Sequence, residues 1–263
     1  MNKVVATDMD GTFLDGHHSY DRKRLRDLLE EFNEKNYLFA VASGRAMIAL
    51  EKVFAGFEDD IAFIAENGSL VTYKGEILFE AKMEKVIYLD LVEQLKALPD
   101  MTGFLLSGRQ GAYATPDVSP DYVSFISNYY ENVQVVEDLS TIEDDIFKLT
   151  VNFTEETILE REAWLNENLN GLVAMTTGFK SLDVILDHVD KSTGLRGLCD
   201  KFGLAATDVI AFGDNMNDYQ MLQFAGTAIA TENARDEIKA ISQEVIGHCE
   251  EESVMAYMEG MVR

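Results

Sequence analysis

The stretch VVATDMDGTFLDG, Val4 to Gly16, decides how the rest of the chain is read. A continuous apolar, β-branched run ends in two aspartates, Asp8 and Asp10, one residue apart, followed by Gly11 and Thr12. Such a run reads as a strand buried on both faces, the kind found in a parallel sheet. Carboxylates that close repel one another, and a desolvated one is costly unless something compensates. A cation is therefore expected at the end of this strand.

Outward from it, strand and helix patterns alternate. Residues 19–36 are amphipathic, with Leu25, Leu28, Leu29 and Phe32 on one face. A second buried strand, YLFAVASGR, ends in Ser43-Gly44-Arg45, and the spacing predicts a helix over 46–57. A third, IAFIAENG, ends in Glu66-Asn67-Gly68, and 70–81 reads as a hairpin turning at Lys74-Gly75. The order βαβ implies a parallel sheet. The pattern returns after His188: a helix over 191–203 closed by Gly203, a buried strand running into GDNMND (213–218), then helix, short strand and helix over 219–242.

Between these halves the pattern changes. Residues 83–98 read as a helix, 103–108 and 111–115 as strands, 120–133 as a helix, 146–153 as a strand, 155–170 as a helix and 172–186 as paired strands. No aspartate motif stands at a strand end there. The expected fold class is α/β, a Rossmann-like parallel-sheet core formed by 1–82 and 188–263, with an α+β domain inserted at 83–187.

Composition narrows the function. A net charge of −25 over 263 residues argues against nucleic-acid or anionic-membrane partners, which need a basic footprint. No apolar run approaches the roughly 20 residues of a membrane helix. The N-terminus does not read as a signal peptide, because Asp8 and Asp10 interrupt its apolar stretch. Two isolated cysteines, Cys199 and Cys249, point to a reducing compartment and a cytoplasmic location. The four histidines, His17, His18, His188 and His248, show no ligand spacing and read as surface or loop residues.

Ligands of open parallel sheets bind outside the carboxyl ends of the strands. Asp8, Asp10, Ser43, Gly44, Arg45, Asp214, Asn217 and Asp218 all fall at such ends and can converge. The aspartates can share a hard divalent cation, and Mg²⁺ is the simplest because it commonly retains a phosphate oxygen. It would also give an acidic protein the local positive charge an anionic substrate needs.

DMDGT (8–12), VASGR (41–45), Lys191 in DKSTG and GDNMND (213–218) resemble the four motifs of the haloacid dehalogenase superfamily. IAENG (64–68) and the position of the insertion resemble its Cof-type phosphatases, closest to bacterial sugar phosphatases. The resemblance spans essentially the whole chain. It implies Asp8 as nucleophile and Asp10 as general acid and base. Ser43, Gly44, Lys191 and Asn217 would contact phosphate, and Lys191 would also pair with the nucleophile. Asp8, the Asp10 backbone carbonyl and Asp214 would hold Mg²⁺. Asp218 would orient Lys191 or a metal-bound water. Met9 and Ser192 depart from the commoner leucine and glycine; Ser192 bears on how the backbone approaches phosphate.

Some positions stay open. Arg45 reads equally as helix surface or substrate rim, and Glu66-Asn67-Gly68 as a turn with Asn67 supporting the site. The insertion, with 6 Lys/Arg and 19 Asp/Glu, offers no polyanion surface and suits a lid that selects a small polar leaving group. Within it Thr176–Ser181 resembles the family's cap contact, where Lys180 either touches ligand or faces solvent. The expected activity is Mg²⁺-dependent hydrolysis of sugar phosphates or similar small metabolites. A sugar phosphotransferase or phosphomutase using the same aspartyl-phosphate is the alternative. A phosphoaspartate receiver is the remote one, since receivers lack an insertion and their acid pair lies on a strand other than that of the phosphorylated Asp.

Overall fold

A computed structural model of the chain describes residues 1–178 and 180–263. In chain order its strands are β1 (Lys3–Thr7), β2 (Tyr37–Ala42), β3 (Ile61–Ala65), β4 (Leu70–Tyr73), β5 (Glu76–Glu80), β6 (Gly103–Gly108), β7 (Ala112–Ala114), β8 (Val133–Val135), β9 (Ile146–Asn152), β10 (Leu172–Gly178), β11 (Ser181–Leu186), β12 (Val209–Gly213), β13 (Thr227–Ala230) and β14 (Glu244–Val245). The α-helices are α1 (Arg22–Glu34), α2 (Met47–Val53), α3 (Lys85–Lys96), α4 (Pro120–Ile126), α5 (Ile158–Asn168), α6 (Lys191–Phe202), α7 (Tyr219–Phe224), α8 (Asp236–Ile241) and α9 (Ser253–Val262).

The chain divides into two compact units. The first comprises Met1–Arg45, Phe54–Glu80 and Asp190–Arg263; the second comprises Ala46–Val53 and Ala81–Val189. The α2 segment, read from sequence as part of the core, groups with the second unit.

In the first unit the strand order is β14-β13-β12-β1-β2-β3-β4-β5. From β14 to β3 the pairings are parallel, and β4 and β5 complete the edge as an antiparallel hairpin. β1 lies between β12 and β2, so its apolar run is buried: Val4, Val5 and Ala6 have no exposed surface. α1 is started by Asp21, whose carboxylate accepts from the amides of Lys23 and Arg24, and it buries Leu25, Leu28, Leu29 and Phe32. α6 is started by Asp190 in a reciprocal capping box with Thr193 and ended by Gly203 at φ 65°. A Cβ on Gly194 would lie 2.5 Å from Ile64 Cγ2, so glycine lets α6 lie close against β3.

In the second unit the order is β10-β11-β9-β6-β7-β8, antiparallel except for the β7–β8 pair. Its core gathers Leu91, Leu95, Phe104, Leu149, Leu165 and Val184 with their neighbours. The helix expected over 120–133 is shorter. α4 ends at Ile126, where the Ser127 hydroxyl donates to the Val123 carbonyl and the Asn128 amide to those of Ser124 and Phe125. These side chains take up the last carbonyls, and 133–135 becomes β8. α9 and β14 have no counterpart in the sequence reading.

Candidate active site

Parallel strands bring their carboxyl ends to one edge of the sheet. Thr7 pairs with Phe212 of β12 and with Val41 of β2. Asp8, Asp214 and Ser43 therefore leave neighbouring strands at one level, and Glu66 follows from β3. The Asp8 amide is anchored on the Phe212 carbonyl at 3.0 Å.

Lys191 is the first residue of α6, and its side chain has no exposed surface. Its Nζ donates to Asp8 Oδ1 at 2.5 Å and to Asp218 Oδ1 at 2.6 Å. Asp218 Oδ2 accepts the amides of Asp214 (2.9 Å) and Asn215 (3.1 Å), which folds the 213–218 turn around it. Thr12 Oγ1 donates to Asp214 Oδ1 at 3.0 Å. Gly11, at φ 84°, is required here, since a Cβ would come within 2.5 Å of Asp214 Oδ2. The Gly11 carbonyl accepts from Asn233 Nδ2 at 2.7 Å and Thr231 Oγ1 at 3.3 Å.

Three carboxylates and one ammonium set the electrostatics. Burial, and then the Asp218 charge, push the Asp8 carboxyl well above the ordinary range, with Lys191 pulling the other way. Burial and Asp218 also push Asp214 up to about 6. Burial alone would discharge Lys191, but Asp218 and Asp8 outweigh it and hold its proton more firmly than an ordinary lysine's.

Asp8, Asp214 and Asp218 each offer an oxygen within 4.8 Å of the others. The Asp218 oxygens already serve Lys191 and the two amides, which leaves Asp8 and Asp214 as the carboxylates able to hold a cation. Hard oxygen donors carrying more negative charge than one lysine neutralises fit a hard divalent ion.

The other expected residues fall as follows. Ser43 is buried, and its Oγ accepts the Arg45 amide at 3.2 Å. A Cβ on Gly44 would meet Asn67 Oδ1 at 2.9 Å, so Asn67 lies against the Ser43–Arg45 turn. Asn217 is half-buried. The Asp10 carboxylate, whose charge also raises Asp214, is gripped by Arg45 (2.8 and 2.5 Å) and by His18 Nδ1 at 3.0 Å. Partial desolvation would raise the half-exposed Asp10 carboxyl, but these bonds outweigh it and hold it below its ordinary range. Lys180 is an exposed turn residue of the second unit; Phe179, within the Thr176–Ser181 stretch, lies outside the described residues. His18 is exposed in a turn, as its surface reading expects, but sequence reasoning did not foresee its bond to Asp10 or that of Asn233 to the Gly11 carbonyl.

A family model described as haloacid dehalogenase-like hydrolase matches residues 5–258. The chain belongs to the haloacid dehalogenase-like hydrolases. It is 30% identical over 262 residues to the 5-amino-6-(5-phospho-D-ribitylamino)uracil phosphatase YbjI of Escherichia coli (strain K12), covering 99% of this chain and 96% of that protein. It is 25% identical over 263 residues to the HMP-PP phosphatase of Escherichia fergusonii, covering 98% and 95%. The crystal structure of SMU.1108c from Streptococcus mutans UA159 superposes with a TM-score of 0.92 at 27% identity, covering 100% of this chain and 99% of that one. This haloacid dehalogenase-like hydrolase is thus an enzyme of the phosphatase kind with the expected α/β core. No helix among the described residues is long and apolar enough to cross a membrane.

Proposed function

We propose that this enzyme hydrolyses small phosphate monoesters with sugar- or polyol-like leaving groups, with Mg²⁺, through an aspartyl-phosphate on Asp8. The observation that carries the reading is the buried Lys191 ammonium bridging Asp8 and Asp218 beside Asp214. A fully buried lysine fixed on a strand-end carboxylate is costly as mere structure. It suits a site where an anion must approach another anion.

In the proposed reaction a carboxylate oxygen of Asp8 attacks phosphorus, and the bond from phosphorus to the ester oxygen breaks. Asp10 gives that oxygen its proton, so the leaving group departs as an alcohol. Asp10 then takes a proton from water as the water oxygen attacks phosphorus. The bond to Asp8 breaks and inorganic phosphate is released. Lys191 neutralises Asp8 and the incoming phosphoryl oxygens, while Asp218 fixes Lys191. Ser43 with the Gly44 backbone, and Asn217, are assigned to the phosphoryl oxygens. Mg²⁺, held by Asp8, Asp214 and the Asp10 carbonyl, would supply electrostatic stabilisation of the transferring phosphoryl group.

Residues 1–82 with 188–263 are assigned this chemistry, and 83–187 the choice of leaving group. The Escherichia coli relative is named for a phosphoribityl compound, a polyol phosphate, which supports that class of leaving group here. The test is phosphate release across phosphosugars, polyol phosphates and nucleotides, with and without Mg²⁺, with kcat/KM for each. Release from none of them, with the folded protein and Mg²⁺ present, refutes the reading; phosphoryl transfer to a second sugar hydroxyl would instead make it a phosphotransferase.

A further inference from the structure

Asp10 is held from two sides. Arg45 Nε donates to Oδ2 at 2.8 Å and Nη2 to Oδ1 at 2.5 Å, a two-pronged guanidinium–carboxylate pair. His18 Nδ1 donates to Oδ1 at 3.0 Å. A carboxylate oxygen has two lone-pair sites. Among the described residues, Oδ1 has both taken, by Arg45 Nη2 and His18, while Oδ2 has one taken, by Arg45 Nε.

Both arms hang from pinned loops. His18 sits at φ 54°, inside a turn that Asp15 ties together. Asp15 Oδ1 accepts the amides of His17 (2.9 Å) and Ser19 (2.8 Å), and the Asp15 carbonyl accepts the His18 amide at 2.9 Å. The Arg45 amide donates to Ser43 Oγ, and the Arg45 carbonyl accepts the Glu66 amide at 3.0 Å. An exposed ion pair by itself contributes little to stability. Three converging donors on one carboxylate instead set its plane.

We propose that Arg45 and His18 are positioning residues for Asp10, fixing its carboxylate so that Oδ2 is the oxygen that exchanges the proton. This rests on the reading of Asp10 as the acid–base residue. It gives Arg45 a task other than contact with substrate phosphate.

The test compares Asp10→Asn, Arg45→Ala, Arg45→Lys and His18→Gly in single-turnover cleavage of ribose 5-phosphate and p-nitrophenyl phosphate. A sugar alkoxide needs a proton to leave, and nitrophenolate does not. Glycine accepts the left-handed backbone of residue 18, so His18→Gly removes the ring without straining the turn. Arg45→Ala is expected to slow ribose 5-phosphate about 10²-fold, as for an ångström-scale misplacement of a reacting group. Its effect on p-nitrophenyl phosphate is expected to be much smaller, with KM for both little changed. Arg45→Lys should not restore the rate, because an ammonium lacks the planar fork. His18→Gly should show the same skew at about tenfold.

Equal losses on both substrates overturn the proposal. So does a rise in KM shared by both substrates, which would put Arg45 on the phosphate. An Asp10→Asn variant without skew removes the acid–base reading itself; skew in Asp10→Asn but not in the other variants removes only the positioning proposal. If Arg45→Ala does not fold, as judged by circular dichroism, Arg45→Lys and His18→Gly decide.

Discussion

Gly68 is the residue on which the setting of Lys191 turns. It sits at φ 105°, and a Cβ placed there would lie 1.9 Å from the Asp190 carbonyl oxygen and 2.5 Å from its carbon. Neither neighbour is a side chain that can swing aside; both are backbone at the start of α6. Relief to an ordinary contact requires about 1.5 Å of movement at Asp190, the residue before Lys191. Left-handed backbone costs a residue with a Cβ about 1–2 kcal/mol, and overpacking about 1–3 kcal/mol more. Gly68→Ala is thus expected to destabilise the first unit by about 2–5 kcal/mol, or about 4–20 °C in Tm. The same shift carries Lys191 off Asp8 and Asp218, for a loss of about 10²-fold in kcat. Gly75→Ala is the control. Gly75 shares the backbone class at φ 73°, but a Cβ there meets nothing within 4 Å. It should lose about 1 kcal/mol with kcat intact. Thermal melts and phosphate-release kinetics on the two variants decide. If Gly68→Ala matches Gly75→Ala in both measures, α6 does not rest on Gly68 and the reasoning fails.

Asp8→Asn should abolish turnover while keeping the fold, because an amide neither attacks phosphorus nor serves well as a metal ligand; turnover like wild type, with a normal circular dichroism spectrum, would refute the role of Asp8. Asp214, pushed up to about 6, and Asp8, also raised, make the metal-free folded chain bind protons more tightly than the unfolded chain. Stability without metal should therefore fall as pH rises from about 4 to 6. Added Mg²⁺ should raise Tm more at neutral pH than near about pH 5, because protons compete for the same oxygens. A Tm increment independent of pH would contradict this. Lys180→Ala should lower kcat/KM for the best phosphosugar by about 10–150-fold if its ammonium bonds the leaving group. An unchanged ratio to p-nitrophenyl phosphate places it in solvent.

The strands that end in chemistry were legible because a buried parallel strand is a continuous apolar run, and polar residues at its end stand out. Asp8, Ser43 and Asp214 stand out this way, and Lys191 through the resemblance of DKSTG to the family's motif. What escaped depends on contacts between loops. His18 reaches Asp10 only because Asp15 closes a turn with His18 in left-handed backbone, and no periodicity announces that. Asn233 reaches the Gly11 carbonyl across some two hundred residues of chain. α9 lacks a starting signal: Glu252 precedes it in left-handed backbone and makes no capping bond through its side chain. α4 was overextended because its end is set by Ser127 and Asn128 bonding back to carbonyls, a local competition that an apolar pattern does not reveal.

The place of β1 between β2 and β12 has a consequence for synthesis. β2 follows β1 closely, but Val209 emerges roughly two hundred residues after Thr7. At about 5–20 residues per second that is an interval of about 10–40 s. Throughout it one edge of β1 has no partner and Asp8 remains in water. The segment Ala81–Val189, with a sheet and core of its own, leaves the ribosome meanwhile. Only the docking of β12 covers that edge of β1, brings Asp214 and Asp218 alongside, and takes Asp8 out of solvent. A nascent chain stopped before that strand would carry the first aspartate motif and the whole inserted unit, yet have no site.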